Sequence, residues 1–416
     1  MQNNRTIARV YSSEAGGNSF DQGLLVIWFL VVGLPIEALS PLRYLFILYF
    51  LSFFLFETRK IVSQIAAGWW FIPIQIIGLM SVFWSNYPSS AMREGLLLLM
   101  SALIILITAA RFTPHQVIRC LFMACIVIAG FILIDPNPIS NGGPFGSKNY
   151  AALQMLTGFI VCFAVALNRD EIGQLRALAW MMAPVFAGLV FLANSTTALL
   201  MMLISGAALL FMRLIFVDAR QVNYLFSFIL ILGLIAAFGI LYAILAFVDQ
   251  QVIDSFLGLF GKDSSFTGRT NLWVEAQNQI SQRPYLGVGL EGFWQYDVGA
   301  AQTLNEYDHK AAGTKLSFHN AHLEVLVLLG MVGYSAFLLA ILAVIAVVYH
   351  RLFTRPDVPS IAFAVIVIIS MISSFVESSL FGTFNIQAFA FFVGGALYSR
   401  RERRQHIGNL VIEPQV

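Results

Sequence analysis

The feature that most constrains this chain is a succession of long apolar runs separated by charged residues or turn signals. Twelve runs are counted, at about residues 23–39, 41–57, 61–84, 94–110, 117–134, 150–168, 174–193, 196–217, 222–248, 321–349, 359–378 and 383–399. A run of about 20 apolar residues can cross a bilayer as a helix, which satisfies its own backbone where lipid offers no partner. Unbroken runs also argue against the alternating pattern of a β-barrel. The sequence therefore predicts an all-α, polytopic membrane protein with about twelve transmembrane helices.

The shortage of charge leads to the same class. Charged residues make up only 11% of the 416-residue chain, and hydrophobic residues make up 59%, whereas soluble domains carry about 25% charged residues. Too little polar surface is present to cover a water-soluble globule. The three cysteines, Cys120, Cys125 and Cys162, lie in or beside apolar runs, so the sequence predicts neither a disulfide nor a metal cluster in the long loop.

The basic residues predict the orientation, because Lys and Arg are concentrated in the cytoplasmic loops of membrane proteins. With the N-terminus in the cytoplasm, sixteen of the 24 Lys and Arg residues fall on that side or at inner helix ends. Among the others, only Arg43, Arg93 and Lys148 lie in or beside short outer loops. An odd number of spans would remove this asymmetry, so both termini are predicted to be cytoplasmic.

The runs group into four predicted regions. Residues 1–248 form an N-terminal transmembrane bundle of about nine helices, and residues 321–399 add about three more. Residues 249–320 form one large outer loop, and residues 400–416 form a basic cytoplasmic tail. Loops of this length are usually functional or disordered, and this one is not of low complexity.

Part of the loop has a helical pattern. Within residues 269–281, Leu272, Ala276 and Ile280 recur every four residues and predict a helix with one apolar stripe, lying at the membrane interface. Pro284 is expected to stop this helix, and Gly287 and Gly289 to shape a turn. Loop aromatic residues are expected to pack on the membrane face: Trp273, Tyr285, Phe293, Trp294 and Tyr296.

A histidine pair stands at the start of the run that follows the loop, in Ser317-Phe-His-Asn-Ala-His-Leu323. A neutral imidazole can take a proton from a hydroxyl in a transition state, so His319 is a candidate general base. His322 follows about one helical turn later, and this spacing leaves a metal site open, although the nearest carboxylate, Glu324, falls on a different helical face. Helix capping or contact with lipid headgroups is the alternative, and composition alone favours it over a functional role.

Three cations on the predicted outer face are candidates for holding an anion. Arg269, in Thr267-Gly-Arg-Thr-Asn-Leu-Trp273, opens the loop helix, where backbone donors and the guanidinium point the same way. Lys148, in Phe145-Gly-Ser-Lys-Asn149, and Arg93 abut membrane segments on the side that is poor in basic residues. The alternatives are lipid headgroups for Arg269 and snorkelling to the interface for Lys148 and Arg93.

Polar residues also occur near the outer ends of helices, at Glu37, Glu377 and Asn194-Ser-Thr-Thr197. They either line a cavity or mark where helices leave the membrane, and the second reading is favoured for Glu37. The centres of the segments carry almost no charge, whereas proton-coupled carriers place carboxylates there. Cations and a histidine pair on the outer face therefore favour an anionic, membrane-borne substrate over a transported ion.

Three motifs in order resemble the O-antigen ligase and polysaccharide polymerase superfamily of bacterial inner membranes, and its exopolysaccharide-producing members in particular. They are Phe145-Gly-Ser-Lys-Asn149; Thr267-Gly-Arg-Thr-Asn-Leu-Trp273 with Pro284-Tyr-Leu-Gly-Val-Gly289; and His319-Asn320-x-x-Leu323 with Gly330-x-x-Gly333. The resemblance covers roughly residues 60–400. It implies an all-helical, GT-C-like glycosyltransferase with a periplasmic active site, which uses no nucleotide sugar, cofactor or metal.

The resemblance also implies roles for particular residues. His319 would be the catalytic base, and Arg269, Lys148 and Arg93 would bind the pyrophosphate of an undecaprenyl-pyrophosphate-linked glycan donor. Supporting roles are implied for four further residues: His322, Asn320, Asn149 and Arg283. Many relatives carry a basic residue where this chain has Ser195-Thr196-Thr197. Either the clamp has one cation fewer, or Arg283 or Lys315 replaces it.

The reaction implied is transfer of the glycan to a hydroxyl on another glycan or on lipid A–core, with inversion at the anomeric carbon. The motifs favour a polymerase of exopolysaccharide or O-antigen repeat units, and an O-antigen ligase is the close alternative. A lipid-linked glycan flippase, a transporter or a scaffold for polysaccharide export are readings from other classes. Membrane lipids and other polysaccharide assembly and export proteins are implied partners, and nucleic acid is not.

Overall fold

The computed structural model describes residues 17–36, 39–218 and 269–399. The predicted segment 222–248, the basic tail at 400–416 and Glu37 lie outside the described residues, as do Thr267 and Gly268. The description that follows concerns the three described ranges.

The described part of the chain is built from helices and contains no strand. Its α-helices, numbered in chain order, are α1 Ser19–Gly33, α2 Ser40–Ala67, α3 Ile72–Met80, α4 Pro88–Arg111, α5 Pro114–Ile134, α6 Lys148–Leu167, α7 Gly173–Leu192, α8 Thr196–Arg213, α9 Arg269–Gln282, α10 Gly299–Tyr307, α11 Ala321–Thr354, α12 Val358–Ser374 and α13 Ile386–Ser399. Short 3₁₀ turns flank α3, at Trp69–Phe71 and Ser81–Phe83, and precede α6, at Ile139–Asn141 and Gly143–Phe145.

The predicted all-α, multi-pass membrane class is confirmed. Six described helices are long and apolar enough to cross a bilayer, namely α4, α5, α6, α7, α8 with its π-helical extension to Val217, and α11. A bent pair, Ser40–Ala67 with Trp69–Phe83, would bring this number to seven, and α1, α12 and α13 are shorter apolar helices. All of these helices coincide with predicted apolar runs, although two boundaries differ.

The predicted helix 61–84 is wrong as a single element. Helix α2 continues through the polar residues 58–60 to Ala67, with a kink at Glu57, and the chain then turns by 67° at Gly68. Three polar residues can lie on an exposed face of a continuous helix. Gly68 and the proline at position 73, in contrast, are residues that end or interrupt a helix. Likewise α1 ends at Gly33 rather than near 39, because its C-cap Leu34 precedes Pro35 and is extended.

Helix α6 is the most enclosed of the long helices, with 83% of its span residues buried. It packs against α5, α7, α8 and α12. Its contact with α7 depends on Gly158, since a Cβ there would lie 2.5 Å from the ring of Phe186. Helix α7, in contrast, buries only 28% of its span, which leaves a broad apolar face for lipid. The most enclosed of the long helices therefore carries Lys148 and Asn149 at its N-terminus.

Helix α11 is interrupted at Gly330, where φ is 62° and ψ is −165°. In a continuous helix the N–H groups of Met331 and Val332 would donate to the carbonyls of Val327 and Leu328. Instead they donate to Pro284 O at 2.9 Å and Tyr285 O at 3.1 Å. The two carbonyls in turn accept from Val288 N at 2.9 Å and Gly289 N at 2.8 Å. The segment 284–289 is thus inserted into the break in α11.

Glycine is required on both sides of this insertion. A Cβ on Gly330 would lie 2.3 Å from the backbone of Tyr285, and one on Gly287 would lie 2.5 Å from Val327 O. Gly287 and Gly289 have φ values of 67° and 85°, which confirms the predicted turn after α9. The loop motif Pro284-Tyr-Leu-Gly-Val-Gly289 and the helix motif Gly330-x-x-Gly333 are therefore two halves of one contact.

The described loop is also tied to the segment before α4. Trp84 Nε1 donates to Leu286 O at 2.9 Å, and Leu290 N donates to Ser81 Oγ at 3.0 Å. Of the aromatic residues expected to pack, Phe293 and Trp294 are buried against Phe318. Trp273 is half-buried, whereas Tyr285 and Tyr296 are both 72% exposed. The loop thus folds onto the bundle mainly through aromatic residues that face inward.

Candidate active site

Glu377, in the connection between α12 and α13, accepts bonds from three distant parts of the chain. His319 Nδ1 lies 3.0 Å from its Oε2, and Arg269 Nη2 donates to its Oε1 at 2.7 Å. Asn149 Nδ2 donates to the same Oε1 at 3.2 Å. The side chains of Arg269, Glu377 and His319 are 14%, 16% and 30% exposed, so the group is sheltered but open to solvent. These four residues are called the Glu377 cluster below.

The backbone that carries His319 is held from several sides. His319 has a φ of 48°, in the left-handed region that is unusual for a residue with a Cβ. Its own N–H donates to Ser317 Oγ at 3.3 Å, and the preceding Phe318 N donates to the buried carboxylate of Glu324 at 2.9 Å. The carbonyl of Phe318 accepts from Trp273 Nε1 at 2.9 Å. These bonds fix a strained backbone that aims the imidazole at Glu377.

Asn320 and His322 have structural partners next to the cluster. Asn320 is the N-cap of α11, where its Oδ1 accepts from the N–H groups of His322 and Leu323, and its Nδ2 donates to Phe375 O at 3.2 Å. His322 is buried, with its Nε2 3.0 Å from Ser374 Oγ, and its ring stacks on Phe375 with centroids 4.6 Å apart. The two histidines therefore contact different groups, although they are one turn apart.

Helix α9 positions Arg269. The predicted apolar stripe is confirmed: Leu272 and Ala276 are buried, and Ile280 packs partly against the core. Trp273 on the same helix donates to the carbonyl of Phe318, so α9 and the His319 backbone are joined directly. The guanidinium and the imidazole are consequently placed by one connected unit rather than by two independent loops.

Lys148 and Asn149 begin α6. Ser147 caps this helix by accepting from Tyr150 N at 3.4 Å, and glycines with positive φ at Gly142 and Gly146 form the preceding turn. Asn149 reaches Glu377, while Lys148 is half-buried and forms no ion pair within the described ranges. Lys148, the chain neighbour of Asn149, is therefore a cation that no carboxylate of the described residues compensates.

The position that is basic in many relatives is neutral here and has another use. Ser195 Oγ donates to Asn149 Oδ1 at 3.1 Å and so fixes the amide that reaches Glu377. Neither proposed substitute joins the cluster in the described structure. Lys315 pairs with Glu291, and Arg283 is exposed beyond the end of α9. The remaining predicted anion contact, Arg93, is exposed and lines a separate cleft together with Arg43.

Sequence reasoning singled out His319, Arg269 and Asn149, but it gave Glu377 no role in binding or catalysis. The partners of Glu377 lie 58, 108 and 228 residues away in the chain, so no local spacing could reveal them. The available signal was a carboxylate at the outer end of an apolar run. Glu324 was likewise considered only as a metal ligand, whereas it holds the backbone beside His319. In the described ranges, no group of three or more His, Cys, Asp or Glu residues is arranged to hold a metal ion.

This arrangement can accept a proton beside a cationic surface. When Nδ1–H of His319 donates to Glu377, Nε2 keeps its lone pair for an external hydroxyl. Arg269 has five N–H donors, and its bond to Glu377 uses only one of them. A base next to a guanidinium group suits the transfer of a group from an anionic leaving group to a hydroxyl.

The fold and site thus define a polytopic membrane protein with a histidine, an arginine and a carboxylate assembled from its long loop and helix ends. The family model described as O-antigen ligase (Wzy_C) matches residues 177–338, which include Arg269 and His319. The exopolysaccharide production protein ExoQ of Rhizobium meliloti (strain 1021) is 25% identical over 366 residues, covering 84% of this chain and 81% of that protein. These matches support the resemblance to the O-antigen ligase and polysaccharide polymerase superfamily that the motifs predicted. They support a glycosyl-transfer function of the ligase or polymerase type.

Proposed function

We propose that this protein transfers a glycan from an undecaprenyl-pyrophosphate carrier to a hydroxyl of an acceptor sugar, and that it joins repeat units of an exopolysaccharide or O-antigen. The observation that carries this proposal is the contact of His319 Nδ1 with Glu377, beside Arg269. It leaves a nitrogen base facing away from the carboxylate and a guanidinium next to it. The proposed site faces the periplasm, in an inner-membrane protein with both termini in the cytoplasm.

In the proposed step, the acceptor hydroxyl loses its proton to Nε2 of His319 while its oxygen bonds to the anomeric carbon of the donor. The bond from that carbon to the pyrophosphate breaks, and the pyrophosphate carries away the electron pair. This single displacement inverts the anomeric carbon. Glu377 keeps the imidazole oriented and stabilises the imidazolium that forms. A positioned general base of this kind contributes about 10²–10⁴-fold to the rate.

The leaving group requires positive charge that is already in place. Arg269 and Lys148 supply it in the proposal, because fixed cations cost no reorganisation when the pyrophosphate departs. A guanidinium also matches phosphate oxygens through its planar fork of donors. Glu377 offsets part of the charge of Arg269, so the proposed second contact is Lys148, which forms no ion pair with any of the described residues. No metal ion is needed for this chemistry.

The donor, acceptor and membrane side are all part of the proposal. A ligase that attaches the glycan to lipid A–core is the second candidate, because the matching family model carries the description O-antigen ligase. The polymerase is preferred because the relative that aligns along most of the chain has a name that refers to exopolysaccharide production. Other proteins of polysaccharide assembly and export are proposed as partners of either activity.

The proposal is tested with purified protein in liposomes and a labelled undecaprenyl-pyrophosphate oligosaccharide. A ladder of products is expected, and His319→Ala should reduce its rate by about 10²–10⁴-fold. His350→Ala, an exposed histidine near the far end of α11, is the matched control and should retain the wild-type rate. A single transfer that requires added lipid A–core would favour the ligase. No transfer under either condition would contradict the proposal, as would a His319→Ala rate within a few-fold of wild type.

A further inference from the structure

His322 is a buried titratable residue that the proposed reaction does not use, although it lies in the first turn of α11, close in sequence to His319. Its Nε2 lies 3.0 Å from Ser374 Oγ at the end of α12, and its Nδ1 lies 3.3 Å from the hydroxyl of Tyr334, further along α11. Its ring stacks on Phe375, the C-cap of α12, with centroids 4.6 Å apart. The three hydrogen-bonded residues, Tyr334, His322 and Ser374, are called the His322 bridge below.

The hydrogen bonds of the bridge assign the proton on the imidazole. The hydroxyl of Ser374 donates its only hydrogen to Met371 O at 2.7 Å, so its oxygen accepts from Nε2–H of His322. In the neutral ring Nδ1 is then an acceptor, and the hydroxyl of Tyr334 donates to it. A buried imidazolium would require a carboxylate partner, and His322 forms no ion pair within the described ranges. Both nitrogens of His322 are therefore engaged, and neither is left to act as a second base.

The contact between Tyr334 and His322 depends on the break in α11. The two residues are 12 positions apart, and in a continuous helix that separation is about 18 Å along the axis, further than the two side chains can span together. Here the break at Gly330 lies between them, and the two N–H groups that follow it donate to the inserted segment 284–289. The inserted segment thus sets where Tyr334 lies relative to His322.

The other end of the bridge adjoins the backbone that carries the carboxylate of the Glu377 cluster. Glu377 N donates to Ser373 O at 2.7 Å, so helical hydrogen bonding continues past the end of α12 as far as Glu377. Ser374 and Phe375, which contact the imidazole of His322, lie within this turn. The turn that His322 holds is therefore the turn that presents the carboxylate to the cluster.

We propose that His322 is a positioning residue for the reaction, because the His322 bridge holds the last turn of α12, and with it the carboxylate of Glu377, where that carboxylate orients His319. This inference rests on the proposed function, since it assigns His322 a part in the same site. In this role His322 touches neither the substrate nor the reacting atoms. The supporting role that the motifs implied for His322 thereby acquires a mechanism, in which its two nitrogens join the second part of α11 to the end of α12.

The first test removes the bonds of the bridge by substitution. Tyr334→Phe deletes the hydroxyl that donates to Nδ1, and His322→Phe keeps a ring to stack on Phe375 but deletes both bonds. The value of kcat for glycan transfer should fall by about 2- to 10-fold in the first variant and by about 10- to 100-fold in the second. The KM for the lipid-linked donor should not change, because the base works only in the transition state. His322→Gln, whose amide can both donate and accept, should recover part of the loss. Tyr296→Phe, at a tyrosine that is 72% exposed, is the matched control and should retain the wild-type kcat.

A double variant separates positioning from a general loss of stability. His322→Phe/Glu377→Gln should be no slower than Glu377→Gln alone, because His322 acts only through that carboxylate. Losses that multiply in the double variant would overturn the inference. A kcat of His322→Phe within about twofold of wild type would do the same, since it is smaller than the loss expected for two hydrogen bonds.

Nitrogen NMR of the histidine side chains tests the inference without glycan transfer. In the full chain, labelled at histidine and placed in nanodiscs at neutral pH, the signals that disappear in His322→Gln should be those of a neutral ring protonated at Nε2. The Nδ1 signal of His319, assigned by its loss in His319→Ala, should shift in His322→Phe in the same direction as in Glu377→Gln.

A His322 ring protonated at Nδ1, or a His319 signal that His322→Phe leaves unchanged, would overturn the inference. Both expected NMR results in a protein that transfers no glycan would refute the proposed function and leave the contact of His322 with the Glu377 turn standing. Glycan transfer by a protein in which neither NMR result is obtained would do the reverse.

Discussion

Glu377→Gln is the exchange that tests the site most directly, because it keeps the size of the side chain and removes its charge. The carboxylate now accepts from His319, Arg269 and Asn149 on two oxygens. A carboxamide offers one oxygen, and its NH₂ group can only donate. If that NH₂ faces His319, Nδ1 becomes the acceptor and the proton moves to Nε2, the nitrogen that should take the hydroxyl proton.

The expected loss follows from the bonds that are removed. A hydrogen bond to a charged group contributes about 1.5–3 kcal/mol, and about 1.4 kcal/mol corresponds to a factor of ten in rate. The turnover number of Glu377→Gln should therefore fall by about 10- to 150-fold. The loss should appear mainly in kcat, because the base works only in the transition state, with a smaller rise in KM from the less well-held Arg269.

The assay is glycan transfer in proteoliposomes, with kcat and KM measured for the lipid-linked donor. Glu306→Gln, the same exchange at an exposed residue of α10, is the control and should change neither constant. The double variant Glu377→Gln/His319→Ala should be no slower than His319→Ala alone, because the two residues act as one unit. A kcat of Glu377→Gln within two- to threefold of wild type, or additive losses in the double variant, would refute the role given to Glu377.

Two further predictions concern the scaffold around the site. Trp273→Phe replaces the indole by a smaller aromatic ring and removes the donor to Phe318 O, and the lost hydrogen bond costs about 1 kcal/mol. The value of kcat should fall by about 2- to 10-fold, and an unchanged kcat would show that this bond does not help to aim His319. Gly330→Ala places a methyl group 2.3 Å from the backbone of Tyr285 at a positive φ. It should lower stability by about 1–3 kcal/mol or more, seen as a lower apparent melting temperature in detergent. Gly188→Ala, with open space around its Cβ, should not; equal melting temperatures for the two variants would count against the insertion as a stabilising contact.

The helices were predictable from the sequence because each segment must by itself be long enough to cross the bilayer and must satisfy its own backbone hydrogen bonds there. The runs near 94, 117, 150, 174, 196 and 321 are therefore found close to their predicted places. The boundary at Gly68 was missed because charge at residues 58–60 resembles a loop, although charge does not end a helix. Tertiary contacts decide where this helix ends, and a short stretch of sequence does not reveal them.

The site was predictable only where a residue type carries chemistry by itself. His319 and Arg269 stand out as a base and a guanidinium at helix starts, and the structure brings both to one carboxylate. Glu377 acquires its role from three partners that are distant in sequence. The pairing of Arg93 with Arg43 across a cleft depends in the same way on how α2 and α4 approach each other.

The insertion of residues 284–289 into α11 limits how this protein can be recombined with its relatives. Four backbone hydrogen bonds join the loop to the helix, and they do not depend on side chains except for the glycines that permit them. In a chimera that takes the loop from a relative and keeps the α11 of this protein, the two sides of this contact would come from different parents and would have to fit each other. Junctions placed before Arg269 and after Gly333 would instead transplant α9, the inserted segment, His319 and the first part of α11 with its break as a single unit.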